Sequence, residues 1–373
     1  MIIENISKID KYLRPIIIHN FPKLGIELYT NMRKSFLKHL VNSAPDIRYL
    51  SDGSHITKIW GLSFNCNLFN SAGIFKNGDG YELCFSQGAG AFLAGTTTFN
   101  PRLGNSKNGI FHPFVPLPNS KAAINWMGLP NDGHYVVAEK LSKIEKRKNC
   151  PLAVSISSDP DLIENDALPL LREAFRIFNK AGVDFIELNE SCPNVHHNEN
   201  SQNGILDINL INRLNFVSDK FLKHRNRSMP VIVKFAVDID PELIPELIDN
   251  LIDMGFDGAN FGNTVKNYSY FRPKIAENEF EIFDYFTEYY GGGISGNPLK
   301  ESSLNCCKIA ITARNNKTLN KEFAIIRTGG IQNYSDLEAS NSIGVDLNQW
   351  FTGYFEMFAD FGHKLYTKMY EYD

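Results

Sequence analysis

Asp184-Phe185-Ile186-Glu187-Leu188 runs directly into Asn189-Glu190-Ser191-Cys192-Pro193, and Asn194 closes the cluster. The first five residues read as a strand buried in a parallel sheet, short and dominated by apolar side chains. The next residues set an Asn, a thiol and a second Asn where a proline turns the backbone. Open and closed α/β folds alike carry their sites at the C-terminal ends of parallel strands. Taken alone, the segment is equally a loop with an incidental cysteine, and the rest of the chain bears on that choice.

The same texture repeats outward. Short apolar runs at 67–72, 91–95, 152–156, 185–189, 231–235, 258–261, 324–327 and 347–351 alternate with stretches of helical periodicity such as 168–181, 241–254 and 302–314. Eight strands alternating with helices predict a closed (β/α)8 TIM barrel of the α/β class. An open doubly wound sheet competes, but no GxGxxG follows the first strand. Residues 101–131 are too many for a plain connection and are expected to build structure over the barrel mouth. The aromatic and acidic segment 266–290 is a second insertion and a candidate lid.

Residues 1–57 differ from the barrel domain expected at 58–373. Leu24, Leu28, Met32, Phe36 and Leu40 recur every four residues, a helical stripe. Residues 1–45 hold seven Lys/Arg against three acids. A basic amphipathic helical pair suits a membrane surface, and equally a cap on the main domain.

The chain has 373 residues, 43% hydrophobic and 21% charged, with a net charge of -4, so it can bury a sizeable core. No basic block points to nucleic acid. Six cysteines form no CxxC pair or Cys/His ligand spacing, which suits a reducing compartment and predicts no metal. His196-His197 lacks a third ligand at a convincing spacing. No stretch reads as a signal peptide or bilayer span.

Phosphate commonly binds after the seventh and eighth barrel strands. There the chain carries Thr328-Gly329-Gly330-Ile331 and Trp350-Phe351-Thr352-Gly353, turns that let backbone N–H groups approach an anion. Other strand ends lead into Ser71-Ala72-Gly73-Ile74-Phe75-Lys76-Asn77-Gly78, Gly95-Thr96-Thr97-Thr98 and Gly262-Asn263-Thr264. Lys234 lies inside the apolar run 231–235, where a lysine is costly unless it meets an anion or a polar ring. The first insertion adds Asn125-Trp126-Met127-Gly128-Leu129-Pro130-Asn131. Asparagines converging from several elements suit a planar ligand rich in imide and carboxylate groups.

In this order, from about residue 60 to 355, these segments resemble the dihydroorotate dehydrogenase family. The resemblance implies oxidation of dihydroorotate to orotate in pyrimidine biosynthesis, with FMN as cofactor. It makes Cys192 the base that removes the C5 proton while a hydride leaves C6. It gives the substrate Lys76 for its carboxylate, helped by the backbone of Gly128 and Leu129, and Asn125, Asn189, Asn194, Asn263 and Thr264 for the pyrimidine edge. It assigns FMN to Ala72, Gly73, Thr96, Asn189, Lys234, Gly262 and Gly296, with Lys234 towards N1 and O2. The phosphate falls to Gly329, Gly330, Phe351, Thr352 and Gly353.

The family divides by electron acceptor, and this chain resembles both sides. Cys192 and the N-W-M-G-L-P-N loop look like the soluble class, whose base is cysteine. The N-terminal extension, the A-G-x-x-K-N-G loop and Gly292-Gly293-Ile294-Ser295-Gly296 look like the quinone class, whose base is normally serine. Ser155 stands where quinone-class members commonly have Asn, and His196-His197 replaces a more usual step. The expectation is a peripheral enzyme on the cytoplasmic side of the cell membrane that passes electrons to a quinone. A soluble fumarate- or NAD-linked enzyme, or a flavin-binding barrel with drifted chemistry, is the alternative.

Overall fold

The computed structural model describes residues 2–50, 52–190, 206–225 and 228–371. Among these residues eight parallel strands make one sheet: β1 (Leu68–Asn70), β2 (Phe92–Thr97), β3 (Leu152–Ile156), β4 (Phe185–Asn189), β5 (Val231–Phe235), β6 (Gly258–Phe261), β7 (Ala324–Thr328) and β8 (Leu347–Trp350). Four coincide with the expected runs residue for residue, and the others differ by one or two residues at their ends. They pair in the order β1-β8-β7-β6-β5-β4-β3-β2. Between β1 and β2 a side chain takes the place of a ladder. Asn70 Nδ2 donates to the Leu93 carbonyl at 2.7 Å, and its Oδ1 accepts from the Leu93 N–H at 3.1 Å. An amide side chain offers the donor and acceptor of a peptide unit, so Asn70 joins the ends of the sheet. The (β/α)8 barrel read from the sequence is the observed fold.

The lower barrel is filled by Phe69, Leu93, Ala153, Phe185, Ile232, Ile326 and Leu347, all fully buried. A hairpin of Thr57–Ile59 and Leu62–Phe64 plugs this end. Its two turn residues, Trp60 and Gly61, have φ of 55° and 72°, the two-residue geometry that matches strand twist. Trp60 Nε1 donates to the Asp257 carbonyl at 3.0 Å. With that end filled, ligand access belongs to the C-terminal ends of the strands.

The N-terminal extension is a helical hairpin, α1 (Ile2–Asn20) and α2 (Pro22–Val41). Pro22 suits the first helical turn, where its missing N–H costs nothing. Arg14 joins α1 to Glu356 at 2.7 Å, on the helix Thr352–Phe361 that follows β8. Thr30 exchanges hydrogen bonds with the backbone of Phe114 at 3.2 and 3.0 Å. The four-residue stripe does not form one uniform face. Leu40 is buried and Leu28 and Phe36 are half-buried, whereas Leu24 and Met32 are exposed.

Over the barrel mouth lies a three-stranded antiparallel sheet of Phe114–Leu117, Ala122–Asn125 and Gly293–Gly296. Two of these strands come from the insertion at 101–131. The third is the glycine segment whose sequence resembles the quinone class. The segment 266–290 folds as short helices ending in Phe280–Tyr289. Glu279 fastens it to the sheet's turn by accepting from the N–H groups of Asn119 and Ser120 at 2.8 and 3.0 Å.

Candidate active site

The C-terminal strand ends and the overlying sheet enclose a cleft. It is lined by Ala72, Gly73, Lys76, Thr96, Asn125, Gly128, Leu129, Asn189, Lys234, Gly262, Asn263, Thr264, Gly296, Gly329, Gly330, Phe351, Thr352 and Gly353. These are the residues singled out from the sequence, save Cys192 and Asn194. Those two, with His196 and His197, lie outside the described residues.

Asparagines and hydroxyls form a chain at one end. Asn263 Nδ2 donates to Asn189 Oδ1 at 3.0 Å, and Asn189 Nδ2 donates to Thr96 Oγ1 at 3.1 Å. Thr96 Oγ1 lies 2.9 Å from the Ser155 hydroxyl. Ser155 is therefore a buried support beneath the wall, and its small side chain leaves room for Thr96. The Thr264 N–H donates to Asn263 Oδ1 at 2.9 Å, fixing that amide's orientation. Gly128 and Leu129 adopt φ of 69° and 54°. Asn131, the last residue of its loop, turns inward instead and holds the loop by donating to the Leu129 carbonyl at 2.8 Å and Thr98 Oγ1 at 2.9 Å.

At the other end, Gly329 and Gly330 have φ of 113° and 78°, conformations open to glycine and strained for most other residues. A Cβ on Gly330 would overlap the Cα of Lys300, and one on Gly353 would overlap the carbonyl oxygen of Ile331. These glycines thus let three backbone segments close around one turn. Arg327, fully buried behind it, donates to the Lys300 carbonyl, Ser303 Oγ, the Asp336 carbonyl and Ser340 Oγ at 2.9–3.0 Å. It thereby locks the helices Lys300–Asn315 and Tyr334–Ile343 around the glycine turn. Gly73 faces the Phe351 ring, which a Cβ would approach to 3.3 Å, so the two frame a slot. A glycine cradle beside a helix N-terminus fits a phosphate, and a slot floored by Lys234 fits a planar ring that gains negative charge.

Several functional positions were not legible in advance. Leu299 and Gln332 also line the cleft, but nothing in their local sequence marks them. Glu187, Asn260 and Gln349 lie beneath Lys234. Their signal in the sequence is the same as that of Lys234, a polar residue within an apolar strand. The five described cysteines, Cys66, Cys84, Cys150, Cys306 and Cys307, are all buried, and none lines the cleft. Burial pushes the Cys66 thiol up to about 11 and those of Cys150 and Cys306 to about 12, which disfavours the reactive thiolate.

A second groove of about 1000 Å³ opens between α1, α2 and the helix Thr352–Phe361. Its walls include Ile6, Met32, Phe36, Phe114 and Pro116, and it shares Phe351 and Thr352 with the first cleft. Arg33 lines this groove. Burial lowers it to about 10, and its Nε has no hydrogen-bond partner among the described residues.

Fold and site together define a (β/α)8-barrel protein whose cleft has a glycine-rich end and an end lined by Lys76 and amide side chains. The sequence profile of the family described as dihydroorotate dehydrogenase matches residues 55–363, and the chain belongs to that family. It is 27% identical over 346 residues to a dihydroorotate dehydrogenase (quinone) of Dichelobacter nodosus, covering 92% of this chain and 93% of that protein. It is 29% identical over 313 residues to the protein of that name in Wigglesworthia glossinidia brevipalpis, covering 83% and 84%. Its fold is similar to that of the Eimeria tenella DHODH crystallised with ferulenol, with a TM-score of 0.73, 22% identity and coverage of 91% and 89%.

Proposed function

We propose that this protein oxidises dihydroorotate to orotate in pyrimidine biosynthesis, holds FMN in the barrel cleft and delivers the electrons to a quinone. The observation that carries the reading is the cleft's division into a glycine-built phosphate end and an end lined by Lys76 and amide side chains. FMN, when bound, supplies a hydride acceptor and a two-electron relay. Gly329, Gly330, Thr352 and Gly353 hold its phosphate, while Ala72, Gly73, Thr96, Gly262, Gly296 and Phe351 flank its ring. Lys76 binds the substrate carboxylate with the backbone of Gly128 and Leu129. Asn125, Asn189, Asn194, Asn263 and Thr264 orient the pyrimidine edge, and the Cys192 thiolate takes the proton from C5.

The apolar groove supports the quinone part of this reading, because it leads from the helical hairpin to Phe351 and Thr352 in the wall of the ring site. Its outer helices expose Ile2, Ile9, Tyr12, Ile16, Phe21 and Leu24, with Lys8, Lys23 and Lys34 nearby in sequence, a pattern suited to lying on anionic lipid. No helix among the described residues is long and apolar enough to cross a membrane. Cys192 and the loop 125–131 favour a second reading, a fumarate- or NAD-linked enzyme. Anaerobic addition of dihydroorotate should bleach the yellow protein. A panel of quinone, fumarate and NAD on one preparation separates the acceptors, and a preference for fumarate without liposome binding would replace the quinone assignment.

A further inference from the structure

Beneath the cleft, strands β4 to β8 enclose a buried polar layer. Glu187 is fully buried and does not line the cleft. Its Oε2 accepts from Asn260 Nδ2 and Gln349 Nε2, each at 2.8 Å. Its Oε1 lies 3.6 Å from Lys234 Nζ. Lys234 Nζ also donates to Gln349 Oε1 at 3.4 Å, and the Thr328 hydroxyl contacts Asn260 Oδ1 at 2.9 Å and Gln349 Oε1 at 3.2 Å. Both amides thus aim their NH2 groups at the carboxylate and leave their oxygens to Thr328 and Lys234. Five strands supply one connected network, and Lys234 and Thr328 are its members that line the cleft.

A lone buried ammonium beneath a ring would favour any state in which that ring carries extra negative charge. A carboxylate 3.6 Å below it cancels much of that field, because charges in a poorly solvated interior act over short distances with little screening. We propose that Glu187 is a positioning residue that holds Lys234 under the ring site and sets the flavin's reduction potential below the value Lys234 alone would impose. The proposal rests on the flavin reading of the cleft. It assigns the chain a tuning device in the barrel interior, separate from the groups that touch substrate. Neutralising Glu187 removes a negative charge from beside Lys234 and raises the potential. Moving the negative charge one residue across the network, from β4 to β6, restores it.

The test compares E187Q and the double variant E187Q/N260D with the unaltered protein, measuring flavin-to-protein ratio and midpoint potential against reference dyes. E187Q should keep its flavin and favour two-electron reduction about tenfold more, a rise of about 30 mV. The double variant should return to the original potential. Flavin-loaded E187Q at an unchanged potential overturns the role of Glu187. Should E187Q not fold, a folded double variant decides: the original potential supports the proposal, and a clearly raised one overturns it. Unaltered protein that takes up no flavin would instead overturn the reading of the cleft itself.

Discussion

Asn263 Nδ2 donates to Asn189 Oδ1 at 3.0 Å, joining the end of β6 to the end of β4 across the cleft. The Thr264 N–H holds the other face of the Asn263 amide, so Asn189 is oriented before any ligand arrives. Asn263→Ala leaves the Asn189 carbonyl without this donor, a loss of about 1–3 kcal/mol in a buried site. Dihydroorotate oxidation should fall by roughly 5- to 150-fold in kcat/KM while flavin content stays near that of the unaltered protein. Steady-state kinetics with absorbance-based flavin counting checks this.

Cys192 is the base proposed here. Cys192→Ala should bind FMN and orotate yet lose proton abstraction by on the order of a hundredfold or more. Cys192→Ser should retain part of the activity with its optimum moved to higher pH, since a hydroxyl is a weaker acid than a thiol. Stopped-flow flavin reduction across pH reads both effects. Full activity in the alanine variant at neutral pH would remove the thiol from the mechanism.

Gly330 has a structural reason for its identity that differs from direct approach to a ligand. A side chain there is directed at the Lys300 backbone, so substitution must push the helix Lys300–Asn315 away from the turn. Gly330→Val should purify with little flavin. It should also melt at a lower temperature, because a ligand that binds only the folded state contributes to its stability. Full flavin occupancy in this variant would remove the phosphate from that turn.

Phe36 contacts Phe355 and Phe358 with ring centroids 6.2 and 6.3 Å apart, so removing the helical hairpin would uncover core surface. Point changes on its outer face avoid that. Phe21 and Leu24 are 57% and 56% exposed, and burying each in lipid is worth about 1.5–3 kcal/mol at most. The double variant F21D/L24D should bind anionic liposomes at least roughly tenfold more weakly and reduce long-tailed quinones poorly. Flavin reduction by dihydroorotate should be unchanged. Retained liposome binding would make the hairpin a structural cap.

His134 is fully buried between Phe99 and Phe178, and burial lowers its pKa from 6.5 to about 4. The unfolded chain therefore binds an extra proton between these values, and stability is lost as pH falls through that window, with full stability present above it. The contribution is about 3 kcal/mol, from 1.36 kcal/mol per unit. Denaturant unfolding at pH 7 and pH 4.5 should show the loss, and His134→Phe should reduce it.

The eight strands and their glycine turns were legible because their signals are local. A buried parallel strand is a short apolar run, and a backbone that must adopt positive φ calls for glycine, as at Gly329 and Gly330. The ordered loops around Lys76, Asn125, Asn189 and Asn263 were legible for the same reason, as compact runs at strand ends. What the tertiary structure decided depends on residues far apart in the chain. Gly293–Gly296 becomes a strand only because Ala122–Asn125 lies beside it. Asn70 joins the barrel's edges only because Leu93 is within reach of its amide. Arg33 is drawn into the groove by packing that its helical period could not show. Glu187 looks like one polar residue in an apolar run until barrel closure sets it against Lys234, Asn260 and Gln349. Local periodicity encodes which face of an element is buried, whereas the partner a buried charge meets is set by closure of the barrel.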